Sequence, residues 1–136
     1  MAKETEYSLQ LAICNYLKVQ YPDVMFRSDL GGIRLTPGLA AKAKSLQHGR
    51  GFPDLFIPEP RLDPTGWPLY GLFVEIKVEG TKIHKKDGIN FTTPHIREQA
   101  EMLVNLTSKG YFARFGIGFD KCKELIDWYL SLKVLR

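Results

Sequence analysis

The stretch that most constrains this chain is Tyr70-Gly71-Leu72-Phe73-Val74-Glu75-Ile76-Lys77-Val78, an apolar run with a carboxylate and an ammonium set into it. Side chains of a strand alternate between two faces. Tyr70, Leu72, Val74, Ile76 and Val78 therefore share one face, and Phe73, Glu75, Lys77 and Glu79 the other. Glu75 and Lys77 are neighbours there, and burying such a pair is costly unless it has a partner or a task. A second apolar run, Leu55-Phe56-Ile57, is opened by Asp54. Pairing the two runs as strands brings the Asp54 carboxylate to the Glu75/Lys77 face. A structural ion triad is the plain alternative, but three charges converging on an apolar strand pair favour a working site.

The remaining chain supplies helices at readable places. From Thr5 to about Gln20, the residues Leu9, Ala12, Ile13, Tyr16 and Leu17 recur at helical spacing, with Thr5 as the cap. Glu6 and Gln10 lie along that stripe, where both can point toward a sheet. Equally, an acid in the first turn can simply favour the positive helix end. Val24-Met25-Phe26-Arg27 is a short strand candidate leading to a Gly31-Gly32 turn, and Thr36-Pro37 opens a helix with a thin apolar face. The proline-dense segment from Pro58 to Pro68 reads as a hairpin excursion tipped by Asp63-Pro64-Thr65-Gly66, with Trp67 expected to clamp it to the sheet. Thr93-Pro94 starts a helix to about Ser108, its apolar stripe made by Ile96, Ala100, Leu103, Leu106 and Val104. Gln99 falls on that same stripe, where an amide must find a hydrogen-bond partner. A strand over 111–117 and a helix from Phe119 to Leu132, with Leu125, Ile126, Trp128, Tyr129 and Leu132 turned inward, complete the order. It describes an α/β chain with a mixed central sheet flanked by helices, expected as a single domain over residues 1–136.

The order of these motifs resembles the PD-(D/E)xK nucleases, with Pro53-Asp54 and Glu75-Ile76-Lys77 standing for the signature. Gly51-Phe52-Pro53-Asp54-Leu55, Glu6 and Gln10 on the first helix, and Gln99 followed by Leu103, Leu106 and Gly110 are similar to the virus-type replication-repair nuclease family, VRR-NUC. The resemblance covers nearly the whole chain and implies a restriction-endonuclease-like core. In Gln99 the match departs from the usual pattern, because His95-Ile96-Arg97-Glu98 separate it from Thr93-Pro94.

On this resemblance Asp54 and Glu75, with the main-chain carbonyl of Ile76 and with Glu6, are expected to hold Mg²⁺ or Mn²⁺, which prefer hard oxygen ligands. Lys77 is expected to orient a water or to stabilise charge on the phosphate, and Gln99 to reach the catalytic pair or the phosphate. The expected activity is metal-dependent hydrolysis of DNA, with branched substrates such as junctions or flaps preferred and a homodimer as the working form. Trp128, Tyr129 and Leu132, or the Trp67 loop, are the candidate contact surfaces. Two alternatives share the fold: a nucleic-acid-binding module without catalysis, and a restriction-type endonuclease, for which no base-reading helix-turn-helix or zinc module is evident.

Charge agrees with an anionic partner. The net charge of +4 is modest, but its distribution is uneven. Arg27, Arg34, Lys42, Lys44 and Arg50 face only Asp29 among acids in their segment, and Lys82, Lys85 and Lys86 form a second basic cluster. Of these, Arg34, Lys42, Lys44, Arg50, Lys82, Lys85 and Lys86 are the candidate DNA contacts. Cys14 and Cys122 lack metal-ligand spacing and read as free thiols. No apolar leader or membrane-length run is present, so action in the cytoplasm of a bacterial or phage-infected cell is expected, away from membranes.

Overall fold

The computed structural model describes residues 4–30 and 33–136. Among these residues, four helices and seven strands follow in the order α1 (Glu6–Gln20), β1 (Arg27–Ser28), α2 (Pro37–Ser45), β2 (Leu55–Ile57), β3 (Arg61–Leu62), β4 (Pro68–Leu69), β5 (Leu72–Lys77), α3 (Pro94–Ser108), β6 (Phe112–Ile117), α4 (Phe119–Ser131) and β7 (Lys133–Val134). The expected Gly31-Gly32 turn and the Met1 to Lys3 part of the N-terminus lie outside the described residues.

The main sheet has the order β1-β2-β5-β6, antiparallel except for the parallel β5/β6 pair. A parallel neighbour requires a crossover. Here α3 supplies it, entering at the Thr93 cap and leaving at Gly110, whose φ of +98° suits a glycine and whose missing side chain makes room for the Tyr70 ring. Every residue of β5 is buried, as expected of a central strand covered on both faces.

The two faces are covered by different helices. Leu72, Val74 and Ile76 pack with Leu9, Ile13 and Leu17 of α1 and with Cys122, Ile126 and Tyr129 of α4. On the other face, Phe73 packs with Leu103 and Leu106 of α3 and with Ala113. Phe56 stacks on Phe73 with ring centroids 4.3 Å apart. The α1/α4 layer is further tied by Asp127, whose Oδ1 accepts from the hydroxyls of Tyr16 at 2.5 Å and Tyr21 at 2.7 Å, and whose Oδ2 pairs with Lys123 at 2.9 Å.

Several expectations are corrected. The first strand is Arg27–Ser28, shifted past the Val24 to Arg27 candidate. Trp67 does not clamp the hairpin: it is 70% exposed, and the tip is instead closed by Asp63 Oδ1, which accepts from the backbone of Thr65 and Trp67. The hairpin's own strands, β3 and β4, join β7 in a second small sheet of order β4-β3-β7 that the sequence reading lacked. Ala12 and Val104 lie on exposed faces of their helices, and Tyr70 stands at the surface ahead of β5. Tyr129 is fully buried, its hydroxyl donating to the Glu59 carbonyl at 2.7 Å, so it cannot form a contact surface. No described helix is long and apolar enough to cross a membrane.

Candidate active site

Register brings the charged residues together. Leu55 lies opposite Val74 in the β2/β5 pair, so one step further the chain sets Asp54 beside Glu75. The Asp54 carboxylate turns across this gap, and its Oδ2 accepts the Ile76 N–H at 2.9 Å. In a strand the N–H and C=O of one residue lie along the same edge. The Ile76 carbonyl therefore also lies along the edge that Asp54 caps, just beyond the end of β2.

Glu75 is 3% exposed and Lys77 8%, both on the α3 face. Lys77 Nζ stands 3.7 Å from Glu75 Oε1, and Gln99 Nε2 donates to the same oxygen at 2.5 Å. Gln99 is delivered by α3 from the side opposite Lys77's own strand. The loop before β2 is seated on that helix by Gly51, whose φ is +81° and where a Cβ would stand 3.0 Å from the Glu98 carbonyl. Thus Gly51, Asp54, Glu75, Lys77 and Gln99 form one assembly, in which the Asp54, Glu75 and Lys77 that strand alternation and pairing placed on one face meet the Gln99 that helical spacing placed on the inner stripe of α3.

Glu75 Oε2 and Gln99 Oε1 are buried without a hydrogen-bond partner. Burial raises the Glu75 pKa well above the usual carboxylate range, and the neighbouring Asp54 charge raises it further, against the pull of Lys77. Asp54 is raised by burial and then by the charge of Asp29, with a smaller contribution from Glu6; the Ile76 N–H opposes this. Two carboxyls that resist ionising together, with an orphaned buried oxygen between them, have the donor set that a divalent cation satisfies. Among the described residues, however, no three His, Cys, Asp or Glu side chains gather closely enough to hold an ion by themselves. Glu6 is exposed at the start of α1, within electrostatic reach of Asp54 but not joined to the pair.

Asp29 was missed as a site residue by sequence reasoning, which counted it only as the lone acid of a basic segment. Its N–H donates to the Asp54 carbonyl at 2.8 Å. Gln10, 6% exposed, reaches the same region from α1 and donates to Ser28 Oγ at 2.7 Å, to the Asp29 carbonyl at 3.1 Å and to Asp29 Oδ1 at 3.3 Å. The sequence signal that could have found Asp29 is its position beyond a short strand before a turn. The basic candidates are all at the surface: Lys42 and Lys44 on α2, Arg34 and Arg50 on its flanks, and Lys82, Lys85 and Lys86 in the loop before α3.

A mixed sheet with an aspartate at the end of one strand and Glu-x-Lys on its neighbour, covered by helices on both faces, is a PD-(D/E)xK-type arrangement. Over its whole length the chain is similar to a solved structure described as "VRR_NUC domain protein", at 27% identity and a TM-score of 0.64, covering 100% of this chain and 96% of that one. The resemblance to the VRR-NUC family therefore holds across the chain, which has the fold of that nuclease family. No family model matches the sequence, and no curated protein does.

Proposed function

We propose that the chain is a single-domain, metal-dependent DNA nuclease that acts on branched DNA. The observation that carries this reading is the closure of Asp54 onto the Ile76 N–H beside a buried Glu75 held by both Lys77 and Gln99. Burying such a cluster is costly unless its charges are paired or serve a ligand, and Lys77 and Gln99 both meet only one of the two Glu75 oxygens. In this reading Asp54, Glu75 and the Ile76 carbonyl hold Mg²⁺ or Mn²⁺, with Glu6 joining from α1. A bound ion of this kind relieves charge on the attacked phosphate and favours ionisation of a water.

The chain's own groups do the rest. Gln99 fixes the rotation of the Glu75 carboxylate, so that Oε2 faces away from the amide. Lys77, carried one alternation beyond Glu75, offers its ammonium to charge that grows on the phosphate oxygens. Arg34, Lys42, Lys44 and Arg50 on one side, and Lys82, Lys85 and Lys86 on the other, bind the DNA backbone. Two such sites in a homodimer would face two strands of a junction. The open edge of β6, with Phe112 and the 38%-exposed Trp128 beside it, is the surface we assign to the second copy. The cytoplasm is the compartment in which we place this activity.

The test is incubation with labelled duplex, flap and four-way DNA in Mg²⁺, Mn²⁺ or EDTA, alongside sedimentation at micromolar protein. Cleavage of branched DNA that EDTA abolishes, by a dimer, is the expected result. Binding without cleavage in either metal would assign the chain to the non-catalytic class. Site-specific cutting of linear duplex would favour a restriction-type enzyme.

A further inference from the structure

The row of carboxylates crossing the sheet does not stop at Asp54. Ser28 lies opposite Leu55 in the β1/β2 pair and Leu55 opposite Val74 in the β2/β5 pair. One residue further along each chain, Asp29, Asp54 and Glu75 fall into a single lateral row. The 2.8 Å bond from the Asp29 N–H to the Asp54 carbonyl fixes the first step of that row. At its far end Glu75 Oε2 is buried and takes no hydrogen bond from a fixed donor of the protein, and the Glu75 carboxyl interacts side chain to side chain with that of Asp54.

We propose that Asp29, held at the end of the row by Gln10, is a further acidic member of the cation site, strengthening from just beyond β1 the affinity of the ion that Asp54 and Glu75 receive. The proposal rests on the metal-dependent reading given above. Gln10 is a buried amide of the α1 face, and its Nε2 donates to Ser28 Oγ, to the Asp29 main-chain carbonyl and to Asp29 Oδ1, so one carboxylate oxygen is held in place rather than left to sweep solvent. Its charge is felt along the whole row, since it raises the proton affinity of Asp54 and, more weakly, of Glu75. When all three are ionised, the carboxylates of the row outnumber the single ammonium of Lys77, an excess that favours a bound cation. Asp29 does not meet the other two at a common ligating point. Its part is therefore attraction at a distance and the holding of the ion's own water shell, which Mg²⁺ retains. Asp29 is a positioning residue of the site, and outer groups of this kind typically alter metal affinity by about tenfold or more.

Calorimetric titration of the full chain with Mn²⁺, and thermal melts in EDTA, separate the possibilities. Asp29→Asn keeps an oxygen for Gln10 and removes only the charge. We expect its Mn²⁺ affinity to fall roughly tenfold, with an EDTA melting temperature equal to or above that of the parent protein because repulsion in the row is relieved. If Asp29→Asn instead lowers the EDTA melting temperature, Asp29→Glu decides: restored affinity means that charge is the cause, and continued loss means that Asp29 is only a structural acceptor. An Asp29→Asn affinity within twofold of the parent, while Asp54→Asn abolishes binding, overturns this inference and leaves the proposed site standing. Normal Mn²⁺ binding by Asp54→Asn, or none by the parent, removes the proposed site itself and this inference with it.

Discussion

Gln99 on α3 donates to Glu75 Oε1 at 2.5 Å, and Lys77 approaches that same oxygen at 3.7 Å, leaving Oε2 buried and without a partner. One oxygen of the carboxylate is thus committed to Gln99 and Lys77, and the other receives no hydrogen bond from a fixed donor. The three residues come from a helix and from alternate positions of one strand. Their meeting is the point at which α3 packing and β5 alternation coincide.

Gln99→Ala should leave Glu75 free to rotate and lower the cleavage rate by about 10- to 100-fold, the range found when a group orienting a metal-binding side chain is lost. A melting temperature in EDTA that stays close to the parent's, read beside initial cleavage rates, is the expected pattern. Unchanged rates with a clearly lowered melting temperature would make Gln99 a core amide and nothing more.

Asp54→Asn and Glu75→Gln should each abolish Mg²⁺-supported cleavage and sharply weaken Mn²⁺ binding, while DNA affinity persists or rises because a negative charge facing the phosphates is gone. Lys77→Ala should differ in kind. It should lose turnover and keep Mn²⁺ binding, since its ammonium acts on developing charge and not on the ion. Calorimetry alongside single-turnover cleavage distinguishes the two patterns, and collapse of Mn²⁺ affinity in Lys77→Ala would show it to be a brace of the site.

The metal-free protein should lose stability as pH rises. Burial first, and the Asp54 charge second, push Glu75 up to about 9 from its ordinary 4.5. Because the folded state holds this proton more tightly than the unfolded chain, the contribution is fully present below about pH 4.5 and is lost as pH climbs toward 9. Glu75→Gln removes that dependence. In EDTA its melting temperature should exceed the parent's by about 3 °C or more at pH 8, equivalent to ~1 kcal/mol for a chain of this size, with the gap closing near pH 5. A gap that is constant over this range, read by scanning calorimetry, would contradict the origin assigned to it.

Asp127→Ala should destabilise the fold by about 2 kcal/mol and leave Mn²⁺ affinity unchanged. The carboxylate accepts from Tyr16 and Tyr21 on the α1 side and from Lys123 on α4, and it lies in the layer opposite Gln99 and Lys77. Loss of a charged acceptor with several donors costs roughly this amount. These hydrogen bonds hold the Asp127 carboxyl below the usual range in spite of its partial burial. Its contribution should therefore be present at neutral pH and fade as pH falls below about 4, which melts of variant and parent across the acid range will show.

The local chemistry of this protein was legible from sequence wherever one period governs a segment. Alternation placed Glu75 and Lys77 together on β5, helical spacing put Gln99 on the inner face of α3, and Thr5, Thr36 and Thr93 cap the helices they were read to start. These properties depend on each residue and its near neighbours, so no other part of the chain is needed to state them. Other features depended on which segments meet. The step that aligns Asp29 with Asp54 is set by hydrogen bonds between β1 and β2, and β1 has only two residues, too few for any period to be read. The same brevity hid β7, whose pairing with β3 joins segments more than sixty residues apart, while the local β3/β4 pair was readable only as a hairpin excursion. Trp67 is exposed because that small sheet and the Asp63 turn close the hairpin without it. Gln10 could be placed on a face of α1, but its partners Ser28 and Asp29 exist only once the helix lies across the end of the sheet. Register and docking are long-range choices, made by burial and hydrogen bonding over the whole molecule, and they decided which acids stand in line.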